Sequence, residues 1–285
     1  MIPVDYILVS LDVTSLFTNI SLERVIESIQ RRYNTIRNFT NVPLDDIIEA
    51  VKIIMNNTFF QFDNEYYQQI FGSPMGSPVS PPFADMVMID LEMQCISKLD
   101  FEPLFLLRYV DDIVCCIPRV KLEQMLNVFN SYDDRIKFTY EIEKNNSISF
   151  LDLQVINDNN HIITNWYMKP KFSEKFLNFS SSHPKVHKVG MVYNLVDKAI
   201  KLSDKRFHNY NLQLVKKFLL SNQYPIKFVE FYIKKRVKTL ENRSNPNLPP
   251  LLSVTDLNNS TNIINSRNST YARIPKISLP YIWFL

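Results

Sequence analysis

Three aspartates lie at positions where their carboxylates could act together on one substrate. Asp12 ends the apolar run YILVSLD, and Asp111 and Asp112 join the apolar runs LFLLRY and IVCCI. A short apolar hairpin usually turns on Asn-Gly or Asp-Gly, so two carboxylates here indicate that charge has been favoured over local structure. Clustered carboxylates repel one another, and their pKa values rise unless cations neutralise them. Magnesium is the natural hard cation for these oxygens, and a pair of magnesium ions is the centre used for phosphoryl transfer.

A bland interpretation of the same residues remains open at this point. Aspartate is a common turn residue, so Asp111 and Asp112 could form a polar turn and Asp12 an exposed strand end. The surrounding elements must therefore bring the aspartates together if they are to act jointly.

Those elements are predicted from apolar spacing and turn signals. Strands are expected in YILVSLD, TFFQF, EYYQQI, both arms of LFLLRYVDDIVCCI, KFTYEIE, ISFLDLQVI and HIITNWYM. Helices are expected in LERVIESIQRRY, PLDDIIEAVKIIMNN, FADMVMIDLEMQCI and KLEQMLNVFNSY, and near 184–203, 211–221 and 225–240. The second hairpin is expected to hinge on Asp111-Asp112, with Cys115 and Cys116 as buried strand residues.

The charge is distributed unevenly along the chain. Residues 1–168 carry 12 Lys and Arg against 23 Asp and Glu, a net charge of −11, whereas residues 169–243 carry 17 against 5, a net charge of +12. An acidic half suited to cations is thus joined to a basic half suited to phosphates, which indicates a nucleic-acid partner. Solvated surface charge is the alternative explanation.

Several classes of protein are not expected. No apolar run approaches the ~18 residues of a membrane helix, and the N-terminus lacks the basic start of a signal peptide. The three cysteines lack zinc-site spacing, and Pro184 interrupts the His183 and His187 pair, so no zinc site is expected. The interior of a cell, nuclear or cytoplasmic, is the expected location.

The motifs around the aspartates resemble those of reverse transcriptases. Tyr109-Val110-Asp111-Asp112 is the YVDD form of the motif that marks this family, and Asp12 followed by Phe17 resembles its first catalytic motif. Between them, GSPMGSPVSP at 72–81 resembles the segment that lines the nucleotide and template pocket. The chain has only three glycines, and two of them, Gly72 and Gly76, fall here, where glycine permits positive φ and close approach to the backbone.

The later part of the chain resembles the reverse transcriptases of Penelope-like retroelements. The segments KFTYEIEKNNSISFLDLQV and YMKPKFSEKFLNFSSSHPKVHKVGMVYNLVDKAI are similar to the corresponding Penelope-like stretches. The resemblance implies an α+β fold, with a palm of antiparallel sheet packed on helices at 1–168, a basic helical thumb at 169–243 and a connector or tail at 244–285.

The resemblance also implies a role for particular residues. The catalytic residues would be Asp12, Asp111 and Asp112, and the ligands of two Mg²⁺ ions would be Asp12, Val13, Asp111 and Asp112. The nucleotide pocket would include Phe17 as a steric gate against a ribose 2′-hydroxyl, with Met75, Gly76 and Tyr109. Lys144 would be a proton donor to pyrophosphate, and Phe150, Leu151 and Asp152 would form the primer grip. The nucleic-acid contacts would be Lys169, Lys171, Lys185, His187, Lys188, Lys234, Lys235 and Arg236.

The activity implied is that of an RNA-directed DNA polymerase. Its partners would be an RNA template, a DNA primer, the RNA–DNA hybrid that they form, and deoxynucleoside triphosphates. The family carries a fingers region before its first aspartate, and many members carry a GIY-YIG endonuclease after the polymerase. We therefore expect a fragment, from a truncated copy or a partial gene model. The alternatives are a catalytically inactive nucleic-acid-binding remnant and a structural protein whose acidic turn is incidental.

Overall fold

The computed structural model describes residues 1–243, which form two compact units. Residues Ile2–Phe150 make the first unit, and the second begins at Leu151. The division comes before the change of charge at 168/169, because Leu153 and Trp166 belong to the same apolar core as the helices that follow them. The expected tail at 244–285 lies outside the described residues.

The first unit is built on an antiparallel sheet. The strands of this unit are β1 (Tyr6–Val13), β2 (Phe59–Phe62), β3 (Glu65–Gln68), β4 (Phe105–Tyr109), β5 (Asp112–Pro118), β6 (Phe138–Ile142) and β7 (Ser147–Phe150). Four of them form a sheet in the order β4-β5-β1-β6, so β1 and β5 are central. Their pairing sets Tyr6 opposite Pro118 and Leu11 opposite Ile113. Central strands are buried on both faces, and Cys115 and Cys116 are buried as predicted.

Helices pack against this sheet. They are α1 (Leu16–Asn19), α2 (Leu22–Ile36), α3 (Leu44–Asn56), α4 (Ser80–Ile96) and α5 (Leu122–Asn130), with a 3₁₀ turn at Arg119–Lys121. The Ser21 side chain accepts a hydrogen bond from the Arg24 N–H and so caps α2. Helix α4 begins earlier than the predicted Phe83, because prolines in its first turn fit a helix start. Its residues Val87, Met88 and Leu91 are fully buried in the core.

A buried aspartate joins α2 to α4. Asp90 of α4 is 5% exposed and accepts a hydrogen bond from the Ser28 hydroxyl of α2. Arg32 Nη2 lies 2.8 Å from Asp90 Oδ1, and Arg31 Nη1 lies 3.0 Å from Oδ2. Two guanidinium groups and a hydroxyl therefore compensate the burial of one carboxylate.

The hairpin of β2 and β3 has no buried face. Its turn residues Asp63 and Asn64 have φ values of 50° and 62°, which confirms the turn predicted there. Every residue of the two strands is exposed, although Phe60 stacks on Tyr67 with 5.4 Å between ring centroids. The hairpin is tied to the end of α3, where the Asn56 carbonyl accepts a hydrogen bond from the Gln68 side chain.

The second unit combines a β-hairpin with three helices. Its elements are β8 (Leu153–Asp158), β9 (His161–Trp166), α6 (Lys185–Lys201), α7 (Lys205–Ser221) and α8 (Ile226–Arg243). Its core includes Leu153, Trp166, Val196 and Phe218, so strand and helix residues share one apolar cluster. The predicted fold class, α+β with an antiparallel sheet followed along the chain by helices, is confirmed.

Candidate active site

The YVDD hairpin turns one residue earlier than predicted. Tyr109 of β4 pairs with Asp112 of β5, so Val110 and Asp111 form the turn and Asp112 is already a strand residue. Val110 has a φ of 56°, in the left-handed region that a β-branched residue rarely adopts. Such a conformation costs on the order of 1 to 3 kcal/mol and persists only where surrounding contacts impose it. Strain is therefore concentrated at the residue next to Asp111.

Asp12 lies beside this hairpin in the same sheet. Because Leu11 pairs with Ile113, the next residues along the two central strands are Asp12 and Asp112. The Asp12 side chain is exposed, yet partial loss of hydration and the negative charge of Asp111 raise its pKa. The N–H of Val13 donates a hydrogen bond to the Asp12 carboxylate and opposes this rise. Two of the predicted catalytic carboxylates are thus close enough for their charges to interact.

These carboxylates have the donor chemistry that Mg²⁺ requires. Both are hard oxygen donors, and their mutual repulsion is a cost that a divalent cation would relieve. Among residues 1–243, no three His, Cys, Asp or Glu side chains are arranged closely enough to hold a metal ion by themselves. Asp12 and Asp111 therefore fit magnesium by the chemistry of their oxygens. Asp112, the third carboxylate expected from the sequence, does not complete a cluster with them.

The loop at 72–79 is fixed against the segment that follows Asp12. The Ser73 N–H donates a hydrogen bond of 2.7 Å to the Phe17 carbonyl. Gly72 has a φ of +86°, and a Cβ atom built on it would lie 2.7 Å from the Cα and carbonyl oxygen of Thr18. The Ser80 hydroxyl donates to the Pro74 carbonyl and closes the other end of the loop. The two motifs that resemble a nucleotide pocket are therefore in backbone contact.

The predicted pocket residues differ in exposure. Phe17 is half-buried and packs against the main core, which leaves part of its ring accessible. Met75 is 69% exposed at the tip of the loop. Gly76 has a φ of +91°, and a Cβ atom added there would have no neighbour within 4 Å, so its requirement for glycine is conformational. Tyr109 is half-buried at the end of β4.

The predicted proton donor and primer grip fall on a bent segment. Lys144 is exposed, and its backbone pairs with Ser147 across a two-residue turn. The prediction of a single strand over ISFLDLQVI is wrong. The strand is interrupted between β7 and β8, where Leu151 has a φ of 54°. Phe150 is only 3% exposed, so its side chain is buried. In the second unit, Asp152 Oδ2 lies 2.5 Å from Lys198 Nζ.

Arg236, in the basic helices, differs from the lysines predicted beside it. It forms two contacts of 2.6 Å with the Asp197 carboxylate, which lower the pKa of Asp197 although burial opposes them. Lys234 and Lys235 are exposed and have no ion pair with any acid in the described part of the chain. Lys188 donates to the Ser181 carbonyl and lies over the Phe179 ring. The other predicted contacts, Lys169, Lys171, Lys185 and His187, are exposed.

One site residue was missed by sequence reasoning. Arg108 contacts the Val110 carbonyl and two acids of α4, Asp85 and Glu92. Burial raises the pKa of Glu92, and the charge of Arg108 opposes that rise. The only signal in the sequence was a charged residue inside an apolar strand, directly before the YVDD motif.

Comparison with solved structures gives a polymerase-like fold. Telomerase from Candida albicans in complex with the TWJ fragment of telomeric RNA aligns with 98% of this chain and 50% of its own length, at 15% identity and a TM-score of 0.55. The Sicinivirus 3Dpol RNA-dependent RNA polymerase aligns with 82% of this chain and 52% of its own, at 16% identity and a TM-score of 0.49. Apo telomerase from Candida tropicalis truncated from the C-terminal domain aligns with 55% of this chain and 35% of its own, at 14% identity and a TM-score of 0.41. The chain thus spans about half the length of these proteins or less.

Sequence comparison gives one further likeness. A family model described as the animal helix-turn-helix domain matches residues 175–234, which include α6, α7 and the start of α8. No curated protein sequence matches the chain. Within the described residues, no helix is both long and apolar enough to cross a membrane.

Proposed function

We propose that the chain is the catalytic part of an RNA-directed DNA polymerase of the Penelope-like type. The observation that carries this proposal is the position of Asp12 beside the YVDD hairpin, on neighbouring central strands of one antiparallel sheet. The fold shared with the Candida albicans telomerase supports a polymerase. The Penelope-like assignment depends on the sequence motifs alone.

The chemistry proposed is nucleotidyl transfer. Asp12 and Asp111 would hold two Mg²⁺ ions, with Val13 and Asp112 as the further ligands suggested by the resemblance. When bound, these ions supply the Lewis-acid chemistry of an in-line displacement at phosphorus. The protein's own contribution is to orient the two carboxylates and to place the sugar of the incoming deoxynucleotide against Phe17.

The surrounding residues would complete the pocket. The contact of Gly72 and Ser73 with Phe17 and Thr18 supports a role for the 72–79 loop in shaping the wall beside the sugar. Lys144 is proposed to donate a proton to pyrophosphate, and its exposure keeps the ammonium group accessible. Leu151 and Asp152 are proposed to meet the primer strand together with the backbone of Phe150.

A direct test is primer extension on an RNA template with Mg²⁺ and deoxynucleoside triphosphates. The purified chain is expected to extend a DNA primer, and Asp111→Asn is expected to reduce extension to the background without protein, because one carboxylate of the pair is lost. Asp134→Asn is the matched control, since Asp134 is an exposed aspartate between α5 and β6 and not part of the proposed pair. Equal extension by wild type and Asp111→Asn would contradict the proposed catalytic role.

A second candidate function is nucleic-acid binding without catalysis. The match of residues 175–234 to a helix-turn-helix family favours it, as does the net charge of +12 over residues 169–243 (17 basic against 5 acidic). This function predicts duplex binding that is unchanged by Asp111→Asn and no primer extension by either protein.

Both functions predict that lysines without an ion pair bind phosphates. Lys234→Ala/Lys235→Ala is expected to weaken binding to an RNA–DNA hybrid and to reduce the slope of log K against log salt by about two, roughly one per lost phosphate contact. Lys216→Ala/Lys217→Ala removes the same charge, but these lysines pair with Glu230 and Glu174 and are expected to change the slope less. Fluorescence anisotropy over a salt series measures both slopes. Equal slopes for the two variants would show that only net charge matters.

A further inference from the structure

Arg108 connects the turn of the YVDD hairpin to α4. Its Nε donates to Glu92 Oε1 at 2.6 Å, and its Nη1 donates at 3.0 Å both to Asp85 Oδ1 and to the Val110 carbonyl. The Arg108 side chain is 11% exposed and that of Glu92 is 19% exposed, so the contact between them is largely shielded from water, whereas Asp85 and Val110 are exposed. A guanidinium group is planar and presents its donors in a fixed fork, which suits three acceptors in defined positions.

Arg108 connects α4, which is anchored in the core, to a turn whose backbone is strained. Helix α4 is anchored in the core by Val87, Met88 and Leu91, all fully buried. Val110 holds a φ of 56°, which a valine does not adopt without support from its surroundings. A hydrogen bond to the Val110 carbonyl fixes the peptide that leads directly into Asp111. The contacts of Arg108 thus hold the turn in a fixed position relative to α4.

We propose that Arg108 is a positioning residue, which holds the Val110 peptide so that the Asp111 carboxylate faces Asp12 and the pair binds a divalent cation. This inference rests on the proposed function, because it requires Asp12 and Asp111 to share a cation. Arg108 itself need not touch the cation or the substrate.

A purely electrostatic role for Arg108 predicts a different result. A guanidinium close to a cation site repels the cation, so its removal would tighten binding, and the unpaired Asp85 and Glu92 would add to this effect. A positioning role predicts weaker binding when Arg108 is lost. Lysine separates the two roles further, since it keeps the positive charge but lacks the planar fork that reaches three acceptors.

The experiment is a titration of the purified chain with Mn²⁺, followed by electron paramagnetic resonance of the free ion. Wild type is expected to have a Mn²⁺ site that Asp12→Asn weakens. Arg108→Gln is expected to bind Mn²⁺ about tenfold more weakly, at the lower end of the loss seen when an outer partner of a metal site is removed. Arg108→Lys is expected to fall between wild type and Arg108→Gln.

Arg24→Gln provides the matched control. Arg24 also donates to a carboxylate and a backbone carbonyl, those of Asp133 and Tyr132, and it does not contact the hairpin. This variant is expected to bind Mn²⁺ like wild type, and circular dichroism melting establishes that each variant is folded. If Arg108→Gln does not fold, Arg108→Lys alone decides between charge and positioning.

The outcomes separate the inference from the function beneath it. If Arg108→Gln and Arg108→Lys bind Mn²⁺ as tightly as wild type or more tightly, the positioning role is overturned while the cation site remains. If wild type has no Mn²⁺ site that responds to Asp12→Asn, the proposed function fails, and the inference fails with it.

Discussion

Replacing Gly72 with alanine is expected to lower the free energy of unfolding by about 3 kcal/mol. Part of this loss is backbone strain, because alanine at a φ of +86° costs on the order of 1 to 2 kcal/mol. The remainder is steric, since a new Cβ atom would lie 2.7 Å from the backbone of Thr18, and relieving such an overlap typically costs about 1 to 3 kcal/mol. Urea unfolding followed by circular dichroism measures the change.

Gly76→Ala is the matched control for this prediction. Gly76 has a similar φ of +91°, but no atom lies within 4 Å of the added methyl group. Only backbone strain is expected to destabilise this variant. Alanine also lowers the conformational entropy of the unfolded chain, which partly offsets the strain, so the expected loss of unfolding free energy is about 1 kcal/mol. Equal destabilisation by the two substitutions would contradict the close contact with Thr18. Because that contact orders the segment after Asp12, Gly72→Ala should also reduce primer extension more than Gly76→Ala.

Asp90→Ala is expected to cost about 3 to 5 kcal/mol of unfolding free energy, the usual loss when one partner is removed from a buried ion pair. The change leaves the Arg32 guanidinium without its carboxylate and Arg31 with only the Glu27 carboxylate, and it leaves the Ser28 hydroxyl buried without its acceptor. Thermal melting of the chain should therefore show a large decrease in midpoint for the unit that contains α2 and α4.

Asp100→Ala tests whether burial of the ion pair causes the large loss of stability expected for Asp90→Ala. Asp100 also pairs with a cation, Lys121 at 2.6 Å, but its side chain is 58% exposed. Exposed pairs contribute little to stability, so this variant is expected to melt close to wild type. A comparable decrease in both aspartate variants would mean that the network around Asp90 has no special weight.

Much of the fold follows from patterns in the sequence. The amphipathic spacing of α2 and the apolar runs of β1 and β5 were sufficient to predict those elements, because local periodicity reflects which face is buried. The turn of the hairpin was predicted one residue too late, because valine at position 110 is not a residue type that indicates a positive φ. Glycine or asparagine is the usual residue at such a position. The break at Leu151 was missed for the same reason.

The proximity of two carboxylates was predicted from the sequence, but the contacts that hold the surrounding residues in place were not. This proximity followed from an apolar strand with Asp12 near its end and an apolar hairpin with Asp111 in its turn. By contrast, the contact of Gly72 with Thr18 and the contacts of Arg108 depend on how distant elements pack, which no local pattern contains. The ion pair between Arg236 and Asp197 joins two helices, so the sequence could not separate this arginine from its lysine neighbours.

The exposed hairpin of β2 and β3 affects how the protein fluctuates. Stability within a folded chain is uneven, and segments that bury little apolar surface open at a small fraction of the global free energy. With all eight strand residues exposed, this hairpin buries little surface in the core, so we expect it to open locally while β1 and β5 remain intact. Its backbone amides are therefore expected to exchange hydrogen with solvent sooner than those of the central strands. This hairpin, which is expected to open locally, ends only a few residues before Gly72, the glycine in contact with the segment after Asp12.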